Sequence, residues 1–152
     1  MTVIKTERLT LTPMTDGELT GLIERLRDVP ELSMAYGEML ESCNEYPGER
    51  LWYAPWRISL PGGPDVGYAG FKGFAGGYPE IGYGLNEGFE GRGYATEAVK
   101  ALCGWALGMP GVAAVEAEAE ADNIASGRVL GKCGFIPTGV MGAEGPRYIL
   151  TP

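Results

Sequence analysis

Polar and apolar residues alternate through ERLTLTPM, with Leu9 and Leu11 on one side, and this period of two predicts a first β-strand. The period then lengthens. Leu19, Leu22, Ile23 and Leu26 share a helical face and Thr15 or Asp16 supplies a cap, so a helix is predicted to about Leu26. A second helix is expected from Glu31 to about Ser42, ended by the turn-forming residues of NEYPGE. LWYAPWRISL and VGYAGFKGF are aromatic-rich apolar runs around PGGPD, the pattern of an antiparallel hairpin. YPEIGYGLN adds a further strand with Ile81, Tyr83 and Leu85 on one face.

The helical period returns from Thr96 to Leu107, where Val99, Leu102, Cys103 and Ala106 share a face. GVAAVEAEAEA is ambiguous. Alanine and glutamate favour helix intrinsically, but alternation from Val115 to Ala121 is strict and the preceding Met-Pro-Gly breaks the chain, which favours strand. Asn123 then caps a short helix ending at Cys133-Gly134, and FIPTGV and RYILT close as strands. The order predicts an α/β (α+β) fold: a mixed, mostly antiparallel central sheet with helices on both faces. With 152 residues and neither repeats nor a low-complexity linker, one domain over 1–152 is expected.

Composition narrows the function classes. Hydrophobic residues at 45% and charged residues at 21% are values of a folded globular chain. No apolar run approaches the roughly 20 residues of a bilayer span, and MTVIKTERLTLTPMT lacks the apolar block of a signal peptide. Cys43, Cys103 and Cys133 have no metal-ligand spacing and are expected to be buried thiols in a reducing cytoplasm. The formal net charge of −8 argues against nucleic acid and against an anionic membrane surface, and lends slight weight to a cationic substrate. The chain has no histidine. A histidine base, a Ser/His/Asp triad and a histidine-ligated metal are therefore excluded, and no metal is expected.

The chemistry-bearing stretch is NEGFEGRGYATEAVKALCGWAL, where Gly88, Gly91 and Gly93 crowd against a helix start. A helix N-terminus presents unpaired N–H groups and the positive end of the helix dipole. Gly91, Gly93 and the small Ala95 leave the amides of Arg92 through Thr96 free to converge on a phosphate. A tight strand-to-helix turn that binds nothing is the alternative. A Walker A loop is excluded because no Gly-Lys-Ser/Thr is present, and a dinucleotide Gly-x-Gly-x-x-Gly fails at Thr96.

EIGYGLNEGFEGRGYATEAVKALCGWA followed by NIASGRVLGKCGF resembles the GNAT superfamily of acyl-CoA-dependent N-acetyltransferases, in particular the branch of the ribosomal-protein N-terminal acetyltransferases. The likeness extends over most of the chain, including TERLTLTPMT and the hairpin from Trp56 to Phe74. It implies acetyl transfer from the cosubstrate acetyl-CoA to a primary amine of a small molecule or a protein N-terminus. The family's Gln/Arg-x-x-Gly-x-Gly/Ala pyrophosphate loop falls on Glu90, Gly91, Arg92, Gly93, Tyr94 and Ala95, with Glu90 departing at the first position. The resemblance also implies that the strand before the loop holds the pantetheine arm and acyl oxygen along Tyr83 to Leu85, with the Leu85 amide as oxyanion donor. Asn123 and Ser126 match the branch's Asn-x-x-Ser element, which assigns the asparagine to pantetheine and the serine to the CoA sulfur as acid. A tyrosine one turn later, used by some relatives, is here Leu130.

For the base, Glu116, Glu118, Glu120 and Asp122 alternate along one strand face, and Glu118 best matches the catalytic glutamate that some members carry. Glu80, Glu144 and an ordered water are the runners-up, and a solvated polar face is the structural alternative. Trp52, Tyr53, Trp56, Tyr36 and Tyr46 read either as core or as walls of an acceptor pocket. The expected partner is a cationic amine acceptor, and a homodimer stays open beside a monomer. A catalytically silent acyl-CoA-binding module and a purely structural domain are the competing function classes.

Overall fold

The computed structural model describes residues 2–152. Its strands are β1 (Ile4–Lys5), β2 (Thr10–Pro13), β3 (Trp56–Ser59), β4 (Asp65–Phe71), β5 (Glu80–Leu85), β6 (Val115–Glu118), β7 (Ile136–Met141) and β8 (Pro146–Leu150). They form one sheet in the order β1-β2-β3-β4-β5-β6-β8-β7, so the closing hairpin places β8 beside β6 and β7 at the edge. Only β5 and β6 run parallel among these neighbours. The mixed, mostly antiparallel sheet expected from the sequence is present.

The helices are α1 (Asp16–Arg25), α2 (Pro30–Glu45), α3 (Tyr94–Leu107) and α4 (Ile124–Lys132). Thr15 opens α1 with a reciprocal capping box to Glu18, two bonds that satisfy donors a helix start leaves orphaned. Leu19 and Leu22 of α1 pack with Met14, Tyr36, Leu40 and Tyr68 on one face of the sheet. On the other face, Ala98, Val99, Leu102, Cys103 and Ala106 of α3 and Leu130 of α4 join Ile58, Ala69, Phe71, Ile81 and Ala117 in the main core. Tyr68 and Ala69 are successive strand residues, so the two clusters lie on opposite sides of β4.

Three boundaries differ from the sequence reading. LWY does not begin a strand. Residues 47–52 form a 3₁₀ turn that buries Trp52 against Phe71, Phe74 and Trp105, at ring-centroid separations of 5.1, 5.3 and 4.9 Å. Each such pair adds about 0.5–1.5 kcal/mol beyond the area it buries. Helix α2 continues past Asn44 to Glu45, because its stop is Tyr46, which precedes Pro47 and is excluded from the helical region. Strand β6 ends at Glu118, leaving Glu120 and Asp122 beyond it. All three cysteines are free and buried. No helix among the described residues is long and apolar enough to cross a membrane.

Candidate active site

Strands β5 and β6 pair at Glu80–Glu116 and Ile81–Ala117 and then part. Beyond that point β5 continues to Leu85 with a partner on one side only, β4. The bonds from Lys72 N–H to the Glu80 carbonyl and from Asn86 N–H to the Val66 carbonyl fix which β5 residues face β4. Hydrogen-bonding directions alternate along an antiparallel strand, so Tyr83 and Leu85 aim their N–H and C=O groups into the opening.

The strand then runs into the glycine loop. Gly88, Gly91 and Gly93 have φ of 91°, 75° and 79°, in the left-handed region where other residues are strained. Gly93 is the N-cap of α3 and carries no capping side chain. A Cβ at Gly91 would meet nothing within 4 Å, so its backbone lies open. The Glu97 N–H reaches back to the Gly93 carbonyl as the first turn of α3 closes. The amides of Tyr94, Ala95 and Thr96 precede that bond and have no intrahelical acceptor.

A clamp from the N-terminal turn steadies this loop. Arg8 donates from Nη1 to the Arg92 carbonyl at 2.8 Å and from Nε to Glu97 Oε1 at 2.7 Å. Its guanidinium lies 4.7 Å from the centroid of the Tyr94 ring. The Arg8 amide and the Thr6 hydroxyl both donate to Glu97 Oε2. Burial pushes the Glu97 carboxyl up, but the bonds from Thr6 and Arg8 outweigh it and hold the group below its ordinary value. Neither Arg8 nor Glu97 stood out in the sequence, since nothing local links residues 89 positions apart.

Next to the opening, a cleft of about 250 Å³ is lined by Gly82, Tyr83, Glu118, Asn123 and Ser126, together with Lys72, Glu80 and Glu144. Asn123 caps α4 by accepting from the Ser126 amide at 3.0 Å, as the sequence predicts. The Tyr83 hydroxyl lies 2.8 Å from Ser126 Oγ. Burial pushes the Tyr83 phenol up, and its bond to Ser126 only partly opposes this. A tyrosine therefore does stand beside the serine, supplied by β5 and not by α4.

The acidic row is organised by a residue that sequence reasoning missed. Arg147 of β8 donates from Nη1 to Glu118 at 2.7 Å, and from Nη2 to Glu80 at 2.8 Å and to Glu116 at 3.0 Å. Lys72 reaches Glu80 at 2.8 Å. Glu118 also accepts from the Glu144 amide at 2.7 Å, and only 8% of its side chain is exposed. That amide bond, then Arg147, holds the Glu118 carboxyl below its ordinary value. Burial pushes Glu80 up, but Lys72 and Arg147 bring it below. Glu116 and Glu118 are thus both paired with Arg147, whereas Glu120 and Asp122 are exposed. The cue was a cation opposite Glu118 in the β6–β8 register, readable only once β8 is known to pair there.

A larger cavity of about 610 Å³ lies between α1, α2 and the sheet. It shares Lys72, Gly82 and Tyr83 with the cleft, so the two adjoin across β5. Tyr36 and Tyr53 line it, while Trp52 and Trp56 belong to the core. Tyr46 stacks on Tyr53 at 5.4 Å from outside the cavity lining.

The acetyltransferase (GNAT) domain family matches residues 8–136. A search of curated proteins gives no match. Among solved structures, an acetyltransferase from Agrobacterium tumefaciens is 24% identical, with 100% of this chain and 95% of that one covered and a TM-score of 0.78. A ribosomal L7/L12 alpha-N-protein acetyltransferase in complex with coenzyme A is 18% identical over 99% of this chain and 98% of that one, at a TM-score of 0.74. A spermidine N-acetyltransferase from Vibrio cholerae is 13% identical over 96% and 95%, at 0.73. At these identities the structural likeness speaks for the fold, and the family match for the family.

Proposed function

The chain belongs to the GNAT family of acetyl-CoA-dependent N-acetyltransferases, and we propose that its reaction runs at the point where β5 and β6 part. In this reading the diphosphate of acetyl-CoA rests on Gly91, Arg92, Gly93, Tyr94, Ala95 and Thr96, where the first-turn amides of α3 have no intrahelical acceptor. The pantetheine arm completes the unpaired edge of β5 at Tyr83 and Leu85, with Asn123 on its far side. The thioester carbonyl then meets the Leu85 amide, a donor fixed in place before charge develops on the oxygen.

The acceptor nitrogen attacks the thioester carbon, the C–S bond breaks, and the thiolate takes a proton. Ser126 supplies that proton and takes in return the one the attacking nitrogen sheds as the amide forms, while Tyr83 orients the serine hydroxyl and shares its hydrogen bond. Glu118 removes the proton from the ammonium. The Glu144 amide and then Arg147 keep it ionised, and each carboxylate oxygen retains a second lone pair beside its existing bond. The low pKa keeps it a standing anion that attracts the ammonium, at the cost of basicity.

The observation that carries this reading is the parting of the two strands directly before a glycine loop that opens a helix. The test is release of CoA thiol from acetyl-CoA with an amine present, and mass detection of the acetylated amine. Product is expected from the native chain and lost in Gly93→Val. Full turnover in that variant overturns the loop assignment.

A further inference from the structure

Three glycines of β4 and β5 open the floor of the larger cavity. In the register of β4 and β5, Gly70 faces Gly82 and Tyr68 faces Gly84, and all four residues line the cavity. Glycine weakens a strand interior, and a strand that keeps several usually does so where another group must come close. Neither Gly82 nor Gly84 has a positive φ, and a Cβ added at either would meet nothing within 4 Å. Backbone geometry does not demand these glycines. Gly67, by contrast, is required by contact, since a Cβ there would run into the Gly84 carbonyl.

The walls are apolar and the charges are unequally placed. Leu22 of α1, Leu26 at its C-cap, and Tyr36 and Met39 of α2 line the cavity with the glycine floor. Among the described residues no carboxylate lines this cavity, and its only charged lining residues are Arg25 and Lys72. Among the described residues Glu80, Glu118, Glu120 and Glu144 all line the adjoining cleft instead.

We infer that the acceptor is a monoamine on a compact, flat apolar body. The body lies on the glycine floor and the single ammonium points through the shared boundary at Gly82 toward the carboxylates. A polyamine is disfavoured, because its further ammonium groups would sit in an apolar cavity lined by Arg25 and by no carboxylate among the described residues, with Lys72 already paired to Glu80. The inference rests on the acetyl transfer proposed above, and names the class of amine that serves it.

The experiment compares kcat/KM for 2-phenylethylamine, n-propylamine and spermidine with acetyl-CoA as donor. Burying the ring should favour 2-phenylethylamine over n-propylamine by roughly 10–100-fold, and spermidine should fall below both. In Gly84→Val, whose side chain fills floor space, the ratio of 2-phenylethylamine to n-propylamine should collapse toward one. A second readout is the melting temperature in the presence of CoA, which 2-phenylethylamine should raise and spermidine should not. Spermidine as best substrate, equal rates across the panel, or a ratio unmoved in Gly84→Val overturns the inference. Stabilisation by 2-phenylethylamine without any acetylated product overturns the transfer reading and leaves the pocket assignment standing. The absence of both stabilisation and product overturns the pocket assignment.

Discussion

Tyr83 and Ser126 come from elements 43 residues apart, yet their hydroxyl oxygens lie 2.8 Å from each other at the mouth of the β5–β6 opening. The contact joins a strand that ends in the glycine loop to the first turn of the helix that Asn123 caps. Two hydroxyls that share one hydrogen bond act as a unit. Ser126→Ala and Tyr83→Phe are therefore each expected to lower kcat by roughly 10²-fold with little change in CoA affinity, and the double variant to lose no more than the worse single. Steady-state kinetics on the three variants checks this. Additive losses would separate the two hydroxyls, and lower melting with intact turnover would reduce Ser126 to a helix-cap neighbour.

Gly93 adopts φ 79° at the N-cap of α3, and a Cβ there would lie 3.3 Å from Arg8 Nη2. Gly93→Val is expected to retain the fold at a cost of about 1–2 kcal/mol, and to lose CoA binding. For the native chain, CoA at about 100 times its dissociation constant should add roughly 2.7 kcal/mol of stability. Thermal unfolding with and without CoA measures both effects. A full CoA shift in the variant would remove the diphosphate from this loop.

Glu118→Gln is expected to cut turnover by roughly 10²–10⁴-fold at neutral pH, with the loss shrinking as pH rises toward the amine's own pKa. Glu116→Gln and Glu120→Gln carry the same charge change and serve as controls. Equal small losses from all three would make the carboxylates an electrostatic attraction for cations and nothing more.

Arg147 is expected to set the pH response of two carboxylates it pairs with. Glu80 and Glu118 are held below the ordinary carboxylate value in the folded chain. A depressed folded pKa contributes stability that is fully present above the unfolded value, about 4.3, and is lost as pH falls through the folded value. In Arg147→Gln the folded values rise, so both the acid unfolding midpoint and the acid limb of the rate profile should move to higher pH. Turnover against pH and acid unfolding followed by circular dichroism report the two shifts. An unmoved acid limb would detach Glu118 from the rate.

Gly142→Ala offers a gentler displacement. An added Cβ would collide with the Glu118 carboxylate lodged under the β7–β8 turn. The carboxylate must leave Arg147 while remaining in the chain. Turnover should fall toward that of Glu118→Gln, with smaller effect on melting. Native turnover in Gly142→Ala would show that the placement of this carboxylate is immaterial.

Periodicity carried most of the fold. The faces Leu19–Leu22 and Val99–Leu102–Ala106 are buried as the 3.6-residue pattern requires. The alternation from Val115 outweighed the helical propensity of alanine and glutamate because the segment lies in the sheet between β5 and β8. The sequence reading missed what depends on partners: the 3₁₀ turn of residues 47–52 is dictated by a pocket for Trp52, not by the aromatic run itself. In the site, the glycine loop and the Asn123 cap are local chemistry and are legible in order along the chain. Arg147 and Arg8 are not, because each acts on residues brought near only by the sheet. The pairing of Tyr83 with Ser126 belongs with them.

The Arg8–Glu97 clamp has a consequence for the order in which the chain acquires its chemistry. The glycine loop and α3 contain every amide that the diphosphate would use, but the carbonyl of Arg92 is tied back only by a residue near the start of the chain. A peptide of residues 86–107 therefore has the motif without the clamp. Closing that contact links positions 84 residues apart, an encounter that requires the intervening meander to have collapsed. Affinity for CoA should consequently appear late in refolding, after helical signal, and CoA becomes a reporter of completed tertiary assembly.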